Sequence, residues 1–593
     1  MLGIRVRTLL LAPVVVTLAA GTATAGHHRH FDVAVYVRAQ EVRQMGDPAW
    51  LEPRWAAIEK QLAVDKVYLE THRDTILVDE KTLEAAKRFF ESRGIRTAGG
   101  ITYTINERNR FQTFCYTRPE ERRKVKEIAE YTARHFDEVI LDDFFFTSCK
   151  CESCIKAKGD ESWTEFRLGL MTEAARDLVV GPARAVNPKV KVVIKYPNWY
   201  DHFQFLGFNL ATEPQIFDGI YTGTETRDPV YNHQHLQPYQ SFSIFRFFEN
   251  VKPGGNRGGW VDPFGRRTLD RYAEQLQLTL FAKAPEITLF SFGNLLESLP
   301  TPEGGTRPDT LVARVASYVF DQVDSFVGRL GRPIGVPSYK PFQSSGEDFL
   351  QSYLGMVGIP MDITPRFPAE AGTILLTAAA RFDPEIVHRI EEQLVAGKEV
   401  VITSGLLRAL QGHGIEDIAE IGVGDGKALV SEFWSWTDVY RSESPVLIPQ
   451  VHYATNDAWN LLGGLHAGTG YPMLLQAGYA GGHLTVLTVP DGFGDLYVLP
   501  DEVLASIRRL LSKDLFVTIE APARVSLFPY DNDTFVVESF LPHATMARAV
   551  TDGRFTKLRD LLSGKEVTGT KRGDKTVFET PIGPNSYRAF AAE

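Results

Sequence analysis

The chain has 593 residues and carries 74 acidic against 64 basic side chains, a formal net charge of −10. At roughly 100 to 200 residues per domain it has room for about three domains, and it lacks the basic runs that neutralise phosphates, so nucleic acid is excluded as an expected partner. Aromatics make up 11% of the chain and cluster in places such as Tyr196-Pro197-Asn198-Trp199-Tyr200, whose flat apolar faces suit sugar rings as well as core packing.

Residues 1–25 have the pattern of an export signal. Arg5 and Arg7 precede an apolar run from Leu9 to Ala20, and Ala23-Thr24-Ala25 offers a cleavage point near Ala25. The run is too short to span a bilayer and no later run approaches about 20 apolar residues. The expectation is a secreted or periplasmic protein without a membrane anchor. His27, His28 and His30 follow at once, as either a metal-binding tract or a disordered terminus.

Residues 26–328 repeat one unit of short apolar strand, polar loop and amphipathic helix. Eight strands are predicted: Asp32 to Arg38, Lys66 to Glu70, Arg96 to Thr102, Glu138 to Phe144, Val190 to Tyr196, Phe217 to Thr222, Ser241 to Phe247 and Glu286 to Phe292. Their runs lack clean alternation, as expected of parallel strands buried on both faces. Between them, Val125, Ile128, Ala129, Thr132 and Phe136 share one helical face, as do Leu269, Tyr272, Leu276 and Leu280. Eight such units imply a closed (β/α)8 TIM barrel, with an open doubly wound sheet as the alternative. In a barrel the working residues follow the strand ends.

A Gly/Pro/Ser-rich patch, Gly331 to Ser338, introduces a second α/β pattern over residues 329–515, with strands near Thr373 to Thr377 and Glu399 to Thr403 around a helix ending at Gly397. Residues 516–593 change to short alternating runs, Phe516 to Ile519, Ala523 to Phe528 and Thr534 to Ser539, separated by turns such as Asp531-Asn532-Asp533. A small C-terminal β-sandwich is expected.

All four cysteines lie within 40 residues: Cys115 after the third strand, then Cys149, Cys151 and Cys154 after the fourth. A C-x-C-x2-C run is poorly shaped for internal pairing, whereas four thiolates from adjacent loops can close a tetrahedral Zn2+ site with no open position, hence a structural one. A Cys115 to Cys154 disulfide and free thiols are the alternatives. This arrangement resembles family 42 β-galactosidases, which place one cysteine after barrel strand three and C-x-C-x2-C after strand four. They also follow the barrel with an amidotransferase-like α/β domain and a small β-domain. The resemblance implies glycosidase activity on a carbohydrate and a structural zinc. Two departures limit it. Strand four of that family ends Asn-Glu where this chain has Asp142-Asp143, and no cysteine lies beyond Cys154 to serve an amidotransferase. The middle domain is therefore expected to be a scaffold or a homo-oligomer contact.

Glycoside hydrolysis needs one protonated and one ionised carboxyl. Asp142 and Asp143 follow strand four, and since successive side chains point to opposite faces, one should face the barrel axis; Asp143, nearer the strand end, is preferred. Its first partner is Glu225, in Tyr221-Thr-Gly223-Thr-Glu225-Thr-Arg227, where Gly223 permits a tight exit and Arg227 could hold the carboxylate. Such a pair resembles the α-galactosidase clan, with a strand-four aspartate nucleophile and a strand-six acid. The family 42 resemblance instead implies Glu249, after the predicted strand seven, as nucleophile and Asp143 as acid/base. Tyr36, Arg38, Glu70, Arg73, Tyr103, Lys195, Tyr196, Trp199, Arg227 and Trp260 are candidate substrate-holding groups around the mouth. The competing readings are a non-catalytic carbohydrate-binding barrel and a metal-dependent deacetylase or amidohydrolase, the latter lacking an H-x-x-H or H-E-x-x-H spacing in the barrel.

Overall fold

Short apolar runs with no polar face can be buried only by pairing edge to edge under a cover of helices. In the computed structural model of the chain they do so as a closed ring. The structure describes residues 27–593 except 266–267, 301–305, 437 and 455, together with the side chains of 299–300 and 306–310. The segment read as a signal, residues 1–25, lies outside the described residues.

The ring comprises β1 (Asp32–Val37), β2 (Lys66–Arg73), β3 (Arg96–Ile101), β4 (Glu138–Leu141), β5 (Lys191–Tyr196), β6 (Gly219–Gly223), β7 (Asn256–Val261) and β8 (Glu286–Phe290). All are parallel to their neighbours, and β1 pairs with both β2 and β8, with Tyr36 beside Tyr68 on one side and Phe290 on the other. The closure makes this a TIM barrel and removes the open-sheet alternative.

One strand differs from expectation. Ser241 to Phe247 is not strand seven but part of helix α1 (Gln240–Val251), whose residues 240–248 are all buried. Its polar residues are buried along with its apolar ones, so it shows no exposed face that would mark it as a helix. The true seventh strand, β7, is the Gly-rich stretch. A Cβ on Gly258 would meet the Tyr221 ring at 2.4 Å, and one on Gly259 would meet Thr279 at 2.3 Å. Glycine is what lets this strand fit between an inward-pointing tyrosine and the covering helix.

The barrel axis is filled by Ala34, Tyr36, Tyr68, Ala98, Ile140, Val193, Tyr221 and Trp260. Towards its N-terminal end, Lys66 bonds Glu286 at 2.6 Å and Glu138 at 2.8 Å, and the Tyr68 hydroxyl joins both carboxylates. Within the His-rich stub, His28 is buried and stacks on Phe31 with ring centroids 5.0 Å apart, while His27 and His30 are exposed.

Beyond the barrel, a second sheet runs β10-β9-β11-β12-β17-β16-β15-β13-β14. Its strands are β9 (Val336–Tyr339), β10 (Met361–Thr364), β11 (Thr373–Leu376), β12 (Glu399–Thr403), β13 (Ile421–Trp434), β14 (Val439–Tyr453), β15 (Ala458–His466), β16 (Thr469–Tyr479) and β17 (Gly482–Leu487). The first five in that order are parallel, as in an α/β domain, and the last four form a long antiparallel extension. Helix α2 (Asp501–Leu511) leads to two antiparallel sheets of four and five strands between Val517 and Ala592, the expected sandwich. Among the described residues no helix is long and apolar enough to cross a membrane.

Candidate active site

β4 stops at Leu141, so Asp142 and Asp143 lie in the turn beyond it rather than on the pleat. The expectation that they face opposite sides therefore fails: both reach the ammonium of Lys195, which extends from β5. Lys195 Nζ lies 2.5 Å from Asp143 Oδ2, 3.6 Å from Asp142 Oδ1 and 3.3 Å from Glu225 Oε1. Its cationic head also sits 4.7 Å from the centre of the Trp260 ring. All three carboxylates and the lysine are buried. A cation placed among three acids keeps its proton although burial alone would remove it.

The acids are set apart by their surroundings. Burial raises Asp142, but Lys195 and Arg73, whose Nη2 lies 2.8 Å from it, outweigh that and hold it ionised. Burial pushes Asp143 up to about 6 against the pull of Lys195, and Glu225 up to about 7. Both are raised first by burial; Glu225 starts from the higher ordinary value of a glutamate, and the Asp262 charge adds to its burial. Gly223 is needed here for a specific reason: a Cβ there would lie 2.9 Å from Glu225 Oε2 and 3.2 Å from the Asn198 nitrogen.

These groups line a pocket of about 420 Å³ at the C-terminal mouth. Of the sequence-predicted residues it gathers Asp142, Asp143, Glu225, Arg73, Lys195, Trp199, Arg227 and Trp260. Arg227 acts on Glu225 through its charge, which favours the ionised acid, while its guanidinium makes a two-pronged bond to Asp262 at 3.0 and 2.7 Å. Glu249 is not brought to the pocket. It lies on α1, where its carboxylate accepts from the Gly254 N–H at 2.8 Å, because the strand assigned before it is a helix. Tyr36 and Glu70 lie beneath the site: the Tyr36 hydroxyl donates to Glu70 at 2.7 Å, and Glu70 in turn accepts from Arg73. Arg38 sits beside Glu41 at 3.7 Å in a helix-capping contact. Tyr103 donates to the Val125 carbonyl, and Tyr196 stacks on Phe248 with its hydroxyl on Glu213, so both belong to the packing between barrel and helices.

Sequence reasoning missed Asp262, Asn198, Gln234, Phe290 and the aromatic rim of Phe111 and Phe144, stacked at 5.4 Å. Asp262 directly follows β7 and was hidden by the misplaced strand.

The loops that form the pocket wall lean on the second domain. Tyr200, next to Trp199, bonds Gln351 at 3.3 Å, contacts Phe349 and lies under the Lys340 ammonium at 4.5 Å. Gln237, in the loop after β6, is gripped by the hydroxyls of Tyr353 and Tyr497. The second domain thus buttresses the walls carrying Asn198, Trp199 and Gln234.

Beside the mouth, the four cysteines converge as free thiols, with all four sulfurs within 4.8 Å of one another. Cys115, Cys151 and Cys154 are 3.5 to 3.7 Å apart. That is far too long for a disulfide, at about 2.05 Å, and close to the edge of a tetrahedron of metal–sulfur bonds of about 2.3 Å. The Cys151 thiol is lowered to about 6, first by the Cys154 backbone N–H, which favours the ligating thiolate. The cluster is one that can bind a metal.

The family described as "Probable glycosyl hydrolase, catalytic domain" matches residues 20–329, its C-terminal domain matches 516–592, and the second domain of uncharacterized protein SSO3021 matches 331–492. SSO3021 of Saccharolobus solfataricus is 26% identical over 541 residues, covering 82% of this chain and 86% of that protein. Among the solved structures that share the fold at low identity are two glycosidases. One is Gan42B, a GH42 β-galactosidase from G. stearothermophilus (TM-score 0.63, 10% identical, 95% of this chain and 98% of that one). The other is α-L-fucosidase isoenzyme 2 from Paenibacillus thiaminolyticus (TM-score 0.64, 12% identical, 95% and 99%). With the catalytic-domain match spanning more than half of its length, the chain belongs to the probable glycosyl hydrolase family and is a glycosidase.

Proposed function

We propose that the protein is an exported retaining O-glycosidase in which Asp143 is the nucleophile and Glu225 the acid/base. The observation that carries this reading is the shared Lys195. With Asp143 Oδ2 at 2.5 Å and Glu225 Oε1 at 3.3 Å from one nitrogen, the two lysine-facing oxygens lie within the sum, 5.8 Å, of each other, which favours the shorter of the two separations known for such pairs. Retaining enzymes need about 5 to 5.5 Å between their carboxyls and inverting enzymes about 6.5 to 9.5 Å, to admit a water.

The roles follow from the charges. Lys195 sits closer to Asp143 and favours its ionised form for attack on the anomeric carbon. Glu225, pushed up to about 7 by burial, keeps a proton for the leaving oxygen, and its Oε2 is buried without a hydrogen-bond partner among the described residues. Asp143 forms the bond to the anomeric carbon as the bond to the leaving oxygen breaks and Glu225 delivers its proton. Glu225, now a carboxylate, takes a proton from water, which displaces Asp143 and restores both groups. Asp142, held ionised, adds negative charge near the developing oxocarbenium ion. A pocket of about 420 Å³ is within the ordinary range for small-ligand sites and admits a sugar. The Cys115, Cys149, Cys151 and Cys154 thiolates would hold a structural Zn2+ pinning the loops after β3 and β4.

The test is the configuration of the first-formed sugar, followed by NMR on an aryl glycoside the enzyme turns over, together with Asp143→Gly in the presence of azide. Retention, and a glycosyl azide of inverted configuration from the variant, are expected. First-formed product of inverted configuration, or wild-type turnover by Asp143→Asn, would overturn the assignment.

A further inference from the structure

A second cleft of about 590 Å³ opens where the antiparallel extension of the middle domain meets α2 and the C-terminal sandwich. It shares no lining residue with the catalytic pocket. Of its aromatic side chains, Trp436 and Tyr440 line the cleft itself, and Trp436 continues beyond the lining in ring contact with Trp434 and Trp459. Trp434, Trp436 and Trp459 form a row, with centroids 6.2 and 6.1 Å apart and successive planes tilted by 38° and 36°. Trp436 is 64% exposed and Trp459 58%. On β15, Gly463 pairs opposite Trp434.

Folding leaves large exposed apolar side chains in a group only rarely, and a group rimmed by polar residues marks a binding surface. The rim here is hydrophilic. Facing Trp436 and Tyr440 across the cleft are Asp501, Glu502, Ser506 and Arg509 of α2, with Glu520 and Arg548 from the sandwich. A row of indoles with a wall of carboxylates, hydroxyl and guanidinium suits a ligand with apolar flat faces and polar edges. Pyranose rings have that character, with C–H faces to lay on indole rings and hydroxyls to give and accept hydrogen bonds at their rims. A second protein copy would instead have to desolvate the charged wall.

We infer that this cleft is an ancillary glycan-binding site, taking consecutive sugars of a neutral polysaccharide across Trp434, Trp436 and Trp459 and holding the enzyme on its polymer. This goes beyond the catalytic assignment and does not depend on which carboxylates perform it.

The experiment is affinity gel electrophoresis of the full-length protein carrying Asp143→Asn, in gels containing hydroxyethylcellulose, glucomannan, galactan, xylan or β-1,3-glucan. It is repeated with Trp436→Ala and Trp459→Ala added. Retardation by at least one polymer is expected, weakened about tenfold or more by the two tryptophan changes. In the otherwise wild-type enzyme those changes should leave aryl-glycoside turnover within twofold while lowering turnover of the retarding polymer. Three results would overturn the inference: no retardation by any polymer, retardation indifferent to both tryptophans, or an oligomer by light scattering that Trp436→Ala and Trp459→Ala dissolve, which would make the row a self-association surface. A failure of Asp143→Asn to abolish turnover would bear on the catalytic assignment and leave this test intact.

Discussion

Replacing Lys195 with methionine removes the one positive charge shared by three buried carboxylates while keeping most of the side-chain volume. Two unit charges ~4 Å apart attract by about 4 kcal/mol at an effective dielectric of about 20, and Lys195 is closer than that to Asp143, Glu225 and Asp142. At about 1.4 kcal/mol for each pKa unit, the loss raises Asp143 by on the order of 3. The sign is fixed, because removing a cation disfavours the ionised acid. Asp143, now at about 6, then titrates well above neutral pH, and Glu225, which Lys195 also holds down, rises with it. Activity needs Asp143 ionised and Glu225 protonated, so the native enzyme should show a bell-shaped kcat/KM profile with limbs near about 6 and 7. In Lys195→Met the acidic limb should move at least two pH units upward, and kcat/KM near pH 6.5 should fall about 10²- to 10³-fold. The assay is the pH dependence of aryl-glycoside hydrolysis for wild type, Lys195→Met and Lys195→Arg, with thermal melts to confirm folding. A folded Lys195→Met whose acidic limb stays where it was would refute the claim that this lysine sets the charge of the pair.

Glu213 is fully buried and pushed up to about 8 by that burial, with only weak bonds from the Asn209 N–H and Tyr196. A folded-state pKa raised above the unfolded value of an acid means that its favourable contribution is present below about 4.5 and lost as pH rises towards 8. Glu213→Gln should therefore gain stability that grows with pH, on the order of 3 kcal/mol at pH 7; equal melting gains at pH 5 and pH 8 would contradict this. Cys154→Ser should drop bound zinc from about one per chain to near zero and lower the melting temperature by about 5 °C or more, read by metal analysis and calorimetry. Tyr200→Leu, which cuts the loop carrying Asn198 and Trp199 from Gln351 and Lys340, should raise KM for an aryl glycoside several-fold with a smaller change in kcat, and a change in kcat alone would speak against a wall-positioning role.

The barrel was legible because its evidence is local and repeated. Seven of the eight strands are apolar runs between turn residues, and the pattern of both-face burial follows from composition alone. Sequence spacing likewise joined the cysteines, since Cys149, Cys151 and Cys154 are neighbours in the chain and Cys115 follows the adjacent strand. It also placed Asp143 and Glu225 at the ends of β4 and β6, because both strands were found.

What the tertiary structure alone decided is the seventh strand and everything registered to it. Asn256–Val261 is a strand by its pairing with β6 and β8, and its glycines are required because Tyr221 and Thr279 leave no room for a Cβ on Gly258 or Gly259, a constraint set by residues at a distance in the chain. Ser241 to Phe247 opens as Ser-Phe-Ser-Ile, alternating polar and apolar as a strand would, yet it lies in a helix whose polar and apolar residues are both buried. From that one displacement came the wrong expectation for Glu249 and the omission of Asp262. The fate of the buried polar groups was equally beyond local reading. Tyr36, Glu70 and Arg227 are polar residues at strand ends like Lys195, yet only three-dimensional pairing makes Lys195 the shared cation of the carboxylates and the others its support. Local sequence determines which segments are strands, because propensity and burial pattern act over a few residues; which side chains meet is set by closure of the ring, which brings β4, β5 and β6 ends to one point.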